Sequence, residues 1–112
     1  MNIFKDIVCG KKKIHLEYED EFIIAFNDIN PKSPVHILIV PKFFIPTLND
    51  VTHQHENILG KMIIVASKIA KKKHINHDGY RLVINCNDNG RQEILYLHMH
   101  LLGGRKGTNI FF

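Results

Sequence analysis

Nowhere does the chain hold an apolar run of the roughly 18 to 20 residues that crossing a bilayer requires, so no membrane span is expected. No secretory signal is expected either. In residues 1–13 the basic cluster follows the short apolar stretch, and a signal has the opposite order. Cysteine is sparse: Cys9 and Cys86 stand alone, with no CxxC spacing and no disulfide framework. Reduced thiols in the cytoplasm are therefore the expectation. Arginine is also scarce beside abundant Ile, Lys and Asn, a bias that says nothing about chemistry. No repeat, linker or low-complexity tract divides the sequence, so residues 1–112 are expected to form a single domain.

What is present is ordinary for a globular chain. Hydrophobic residues make up 45% and charged residues 23% of 112 positions, which argues against intrinsic disorder. At this length roughly two-thirds of the unfolded surface is buried on folding, enough for one core without staples. The net charge of +4 comes mostly from two lysine triplets, Lys11 to Lys13 and Lys71 to Lys73. Neither is interleaved with aromatics or joined to a groove-reading motif, so nucleic acid is not an expected partner. The second triplet falls where a helix should end, and cations there complement the helix dipole.

Ile3, Phe4, Ile7 and Val8 have helical spacing and stop before Gly10, which predicts a short N-terminal helix. His15–Tyr18 and Phe22–Phe26 read as strands joined by Glu19–Glu21. Residues 27–34 are dense in turn formers, and Val35–Val40 is an apolar strand broken only by His36. Leu59, Met62, Ile63, Ala66, Ile69 and Ala70 predict a long amphipathic helix over about 53–73, capped by Asp50 or Thr52. Gly60 inside it suggests close packing that excludes a side chain. Tyr80–Asn85 reads as a strand, 86–92 as a polar loop and about 94–102 as the last strand. Strands in consecutive runs with one helix inserted predict an α+β fold, a sheet with its helices on one face.

The last strand carries the chemistry. Side chains alternate along a strand, so Tyr96, His98 and His100 share one face while Leu97, Met99 and Leu101 take the other. Two imidazoles about 7 Å apart fit metal ligation, phosphate chemistry or plain packing. A metal needs a third ligand, for which His36 is available, but carboxylate neighbours are few. Imidazole also serves as nucleophile and proton donor near neutral pH, which metal-free phosphoryl or nucleotidyl transfer requires.

Residues 92–105, QEILYLHMHLLGGR, resemble the signature of the histidine-triad (HIT) nucleotide-binding proteins, alternating histidine and apolar residues before Gly-Gly-Arg. Ile3-Phe4, Ala25–Pro31, Pro34–Pro41 and Gly79–Arg81 also match the family's order and spacing, so the resemblance covers nearly the whole chain. It is nearest to the Hint branch, the purine nucleoside phosphoramidases. The resemblance implies a five-stranded antiparallel sheet with a short N-terminal helix and one long helix. It also implies a homodimer, with two sheets joined into ten strands across a two-fold axis. The implied activity is hydrolysis of adenosine or guanosine 5′-phosphoramidates through a nucleotidylated histidine, with no cofactor and no metal.

Carried over by position, His98 would be the nucleophile, His100 a phosphate-contacting partner near the leaving group, and His36 a supporting histidine. Asp28 would hold the ribose beside Asn27, and Asn85, Gln92 and Glu93 would lie toward the phosphate and leaving group. Ile3, Phe4, Ile7, Phe26 and Ile29 would line the base pocket, although pattern alone makes them ordinary core. Asp28 could equally form an Asx turn, and Asn85 a turn cap. His53, His55, His74 and His77 are expected to meet only solvent.

Two positions depart from the family. Tyr96 stands where the first triad histidine belongs, and its hydroxyl is expected to reach toward His36 or water in place of the relay, slowing turnover. Arg91 stands where a second glycine precedes Gln92, and it offers either charge to phosphate or an obstruction. The tail Asn109–Phe112 corresponds to a segment that tunes substrate choice in the Hint branch. The alternative function is a catalytically impaired HIT-fold purine-nucleotide-binding protein acting through binding or partner contacts. For assembly, the long helix and the final strand are expected to form the two-fold interface.

Overall fold

The computed structural model describes residues 2–108, so the tail at 109–112 lies outside the described residues. A short helix α1 (Ile3–Val8) is followed by strands β1 (Tyr18–Glu19), β2 (Ile23–Asn27) and β3 (Val35–Pro41). Then come 3₁₀ turns at Leu48–Asp50 and His53–His55, the helix α2 (Glu56–Lys72), and strands β4 (Tyr80–Val83) and β5 (Met99–Gly103). The five strands form one antiparallel sheet in the order β1-β2-β3-β5-β4.

Alternation divides the core into two layers. Ile23, Ala25, Ile37, Ile39, Leu97, Met99 and Leu101 meet Met62, Val65, Ala66, Ile69 and Ala70 of α2. On the opposite face Ile24, Phe26, Leu38, Val40 and Tyr96 meet Phe4 and Ile7 of α1. The helices are therefore not on one face, as the sequence suggested. A helical stripe says that something must be covered, but not which side of the sheet will cover it. Because α1 has only six residues, it roofs part of its face and leaves the rest open.

Four further expectations shift. The last strand begins at Met99, not near Ile94, because residues 94–96 bend: the Tyr96 N–H donates to the Ile94 carbonyl at 2.8 Å. The 53–55 segment is a 3₁₀ turn capped by Thr52, whose Oγ1 accepts from the Gln54 N–H while its own N–H donates to His55 Nδ1. Gly60 is exposed, and a Cβ there would meet nothing within 4 Å, so close packing inside this chain does not explain it. The final strand β5 is also internal, between β3 and β4, and β4 holds the edge that the interface expectation assigned to it. At the far end His74 takes a left-handed φ of 59° and the Ile75 N–H returns to the Ala70 carbonyl, ending α2.

Glu17 ties the layers together. Its buried carboxylate accepts from Lys73 Nζ and Asn27 Nδ2, both at 2.9 Å, and Lys73 holds its pKa below the usual carboxylate range. Both cysteines are free, Cys9 exposed and Cys86 half-buried. Among the described residues no helix is long and apolar enough to cross a membrane.

Candidate active site

The open part of the α1 face is a cavity of about 790 Å³. The register of the central strands stacks polar groups at its floor: Leu38 lies opposite His100, His36 opposite Leu102, and Val83 opposite His100. His36, His98 and His100 all line the cavity, as do Ile3, Phe4, Ile7, Phe26, Asn27, Asp28, Ile29, Asn85, Arg91 and Glu93. Phe4, Ile7 and Phe26 are at once core and cavity wall, whereas Ile29 stands 91% exposed at the rim. The ring of Phe4 meets His98 edge-on with centroids 4.9 Å apart.

Backbone groups assign the tautomers of the three histidines. The Lys32 N–H donates to His36 Nδ1 at 3.0 Å, so neutral His36 carries its proton on Nε2. That nitrogen lies 2.9 Å from His100 Nδ1 and 3.4 Å from Asp28 Oδ2. His100 Nδ1 therefore accepts, and its own proton sits on Nε2. His100 Nε2 is buried and has no hydrogen-bond partner among the described residues. It is a donor held ready for something that enters the cavity. His98 is turned the other way. Its Nδ1 lies 2.6 Å from the Tyr96 carbonyl, which can only accept, so Nδ1 is protonated and Nε2 keeps its lone pair.

Burial keeps all three rings neutral. It pushes His36 and His98 below the ordinary histidine value of 6.5, and the Asp28 carboxylate only partly offsets this. His100 is driven furthest, to about 4, by burial first and then by His98 and His36. Asp28 serves two purposes. Oδ1 accepts from the Asn30 N–H at 2.8 Å in an Asx turn, and Oδ2 faces His36. Asp28, His36 and His100 place donor atoms within 4.8 Å of one another, a spacing compatible with a metal; His98 is not in that set.

Two of the anticipated side chains point elsewhere. Gln92 does not line the cavity: Nε2 donates to the Pro46 and Ile94 carbonyls and Oε1 accepts from the Asn87 N–H, so it braces its loop. Tyr96 is 1% exposed, and its hydroxyl donates to the Pro41 carbonyl at 2.6 Å, not toward His36. Arg91 occupies the glycine position with a left-handed φ of 62°, the conformation that favours glycine there. Of the lining residues, Lys12, Ile14, His15, Asn30, Lys32, Leu38, Val83, Ile94 and Leu102 were not anticipated. Lys12 sits in a triplet that reads as solvated, and Lys32 contributes through its backbone, which no residue-type pattern signals. Gly104, at φ 93°, has Pro34 so near that a Cβ would come within 2.9 Å, which accounts for the second glycine of the signature.

Comparison with known proteins bears on the family and the fold. The HIT domain model matches residues 10–107. The chain is 50% identical to the purine nucleoside phosphoramidase of Escherichia coli K12 over 103 residues, 92% of this chain and 87% of that one. It is 54% identical to an uncharacterised HIT-like protein of Buchnera aphidicola from Acyrthosiphon pisum over 105 residues, 94% and 92% of the two chains. Among solved structures, the HIT family hydrolase of Legionella pneumophila Philadelphia 1 superposes with a TM-score of 0.95 at 41% identity, covering 98% of both chains. With the family model matched over most of its length and the fold in common with the solved hydrolase, the chain belongs to the HIT family.

Proposed function

We propose that this protein hydrolyses purine nucleoside 5′-phosphoramidates, of adenosine or guanosine, through a nucleotidylated His98. The observation that carries the reading is the His98 Nδ1–H bond to the Tyr96 carbonyl, which leaves the Nε2 lone pair for attack. In the first step Nε2 bonds to the α-phosphorus and the P–N bond to the leaving amine breaks. His100 Nε2–H is the donor that meets the departing amine or a phosphoryl oxygen, with His36 and Asp28 behind it. In the second step water attacks the same phosphorus, the P–Nε2 bond breaks, and a nucleoside monophosphate leaves; the proton that the attacking water releases balances the one that the leaving amine took up from solvent in the first step.

Phe4, Ile7, Phe26, Ile3 and Ile29 supply an apolar slot for the purine, and Asp28 with Asn27 meets the ribose. Asn85, Arg91 and Glu93 form the side toward the leaving group. The reading includes a single domain over residues 1–112, a cytoplasmic setting with free thiols, and a two-fold homodimer. It is supported by the 50% identity to a protein named as a purine nucleoside phosphoramidase. The alternative, a nucleotide-binding protein without turnover, draws on Tyr96 at the first triad position.

A turnover assay with adenosine 5′-phosphoramidate separates these. The wild-type chain should release AMP, His98→Ala should abolish release while AMP still binds, and a chelator should change nothing. AMP binding without turnover by the wild type selects the alternative. Loss of activity with chelator and its return with zinc selects the Asp28, His36 and His100 set as a metal site.

A further inference from the structure

The peptide unit joining Tyr96 to Leu97 is the part of the site that the reaction above takes for granted. Its carbonyl accepts the His98 Nδ1–H at 2.6 Å, and its N–H, on Leu97, donates to the Ile45 carbonyl at 2.7 Å. The chain around it is irregular, since β5 starts only at Met99. No strand ladder therefore fixes the direction in which this carbonyl points. The Tyr96 side chain supplies a second attachment. Its hydroxyl donates to the Pro41 carbonyl at 2.6 Å, and its ring lies edge-on to Phe44 and Phe4 with centroids 5.0 and 6.2 Å away.

Pro41 and Ile45 flank one short bend after β3, so side chain and backbone grip the same bend at two points. Two anchors fix the tilt of a peptide plane, whereas one leaves it free to rotate about the remaining bond. The anchor is dry: Tyr96 is 1% exposed and packs with Val40 and Leu38 in the α1-side core.

We infer that Tyr96 is a positioning residue, which holds the Tyr96–Leu97 peptide so that its carbonyl keeps the proton on Nδ1 of His98 and the lone pair on Nε2. On this view tyrosine is not a weakened relay member. It acts from outside the cavity, through its own backbone, and its reach past the ring to Pro41 is what an imidazole at this position lacks. The inference rests on the proposed nucleophilic role of His98 for its kinetic consequence, but its structural consequence stands apart from any activity.

The test compares wild type, Tyr96→Phe and Tyr18→Phe by ¹⁵N NMR of the histidine rings and by steady-state kinetics with adenosine 5′-phosphoramidate. Tyr96→Phe keeps the ring and removes only the hydroxyl. Tyr18→Phe removes an equally short bond, to Asp20 Oδ2 at 2.6 Å, and controls for a general loss of stability. We expect the wild type and Tyr18→Phe to hold His98 as the Nδ1–H tautomer and Tyr96→Phe to give a mixture of tautomers. We expect kcat of Tyr96→Phe to fall by about 10- to 100-fold, the scale of small positioning errors, with KM and AMP affinity unchanged. An unchanged His98 tautomer in Tyr96→Phe overturns the inference, as does unchanged kcat against an active wild type. A wild type that holds the Nδ1–H tautomer, loses it in Tyr96→Phe and never turns over leaves the positioning role standing and removes the proposed reaction instead.

Discussion

His98, just before β5, and His100, within it, line one cavity, yet their partners make them opposite in character. A carbonyl acceptor leaves one with a free lone pair, and a histidine donor leaves the other with a free N–H. Placing both on one face follows from a period of two and could be read from the sequence. Giving them different roles could not, because the deciding groups are the backbone N–H of Lys32 and the backbone carbonyl of Tyr96, which no side-chain pattern signals. The same limit explains Gln92, whose amide was expected in the site but is consumed by three backbone groups, two of its own loop region and the Pro46 carbonyl. The lowered histidine values give a pH prediction. A base whose folded pKa lies below 6.5 is more than half neutral at pH 6.5 and takes up most of its proton further into acid. Turnover (kcat/KM) should therefore keep more than half of its plateau value at pH 6.5 and fall further below it. Because the unfolded chain protonates these rings first, stability should also erode between 6.5 and about 4. A kcat/KM already lost above pH 6.5 would contradict the burial argument.

At the scale of elements, α1 and β3 were legible almost to the residue, since Gly10 and the two prolines around Val35–Val40 punctuate them. The side of the sheet that α1 covers was not legible, and that placement creates the cavity. A six-residue helix has little stability of its own. What holds it is Asn2, whose Oδ1 accepts from the Phe4 and Lys5 N–H groups while Nδ2 donates to the Leu95 carbonyl. One side chain thus caps the helix and ties it to the bend before the histidine face. Asn2→Ala should cost about 1 kcal/mol of stability, the ordinary value for a lost cap. It should raise KM more than it lowers kcat, because Phe4 and Ile7 move while His98 stays. Thermal melts and a substrate titration check both parts; an equal loss in kcat with KM unchanged would place α1 in the chemistry and not in binding.

For the whole molecule, part of the exposed apolar surface lies on α2. Ile63 and Ile64 of α2 are 54% and 57% exposed, Gly60 is also exposed on that helix, and β4 is the last strand of the sheet among the described residues. An exposed helix stripe and a sheet-edge strand are the kinds of surface a two-fold pairing covers. Gly60, which packs against nothing in its own chain, then acquires a reason in close approach of a second copy. Light scattering at micromolar concentration should report a dimer, and Ile64→Lys should shift it toward monomer; a monomeric wild type would remove this interface. The claim on which the account turns is the covalent one, and acid-quenched mass spectrometry of the protein mixed with adenosine 5′-phosphoramidate tests it most directly. The account predicts a transient addition of one adenosine monophosphate on the peptide containing His98 in the wild type and none in His98→Ala, while release of AMP with no adduct at any quench time, or an adduct on another residue, would contradict it.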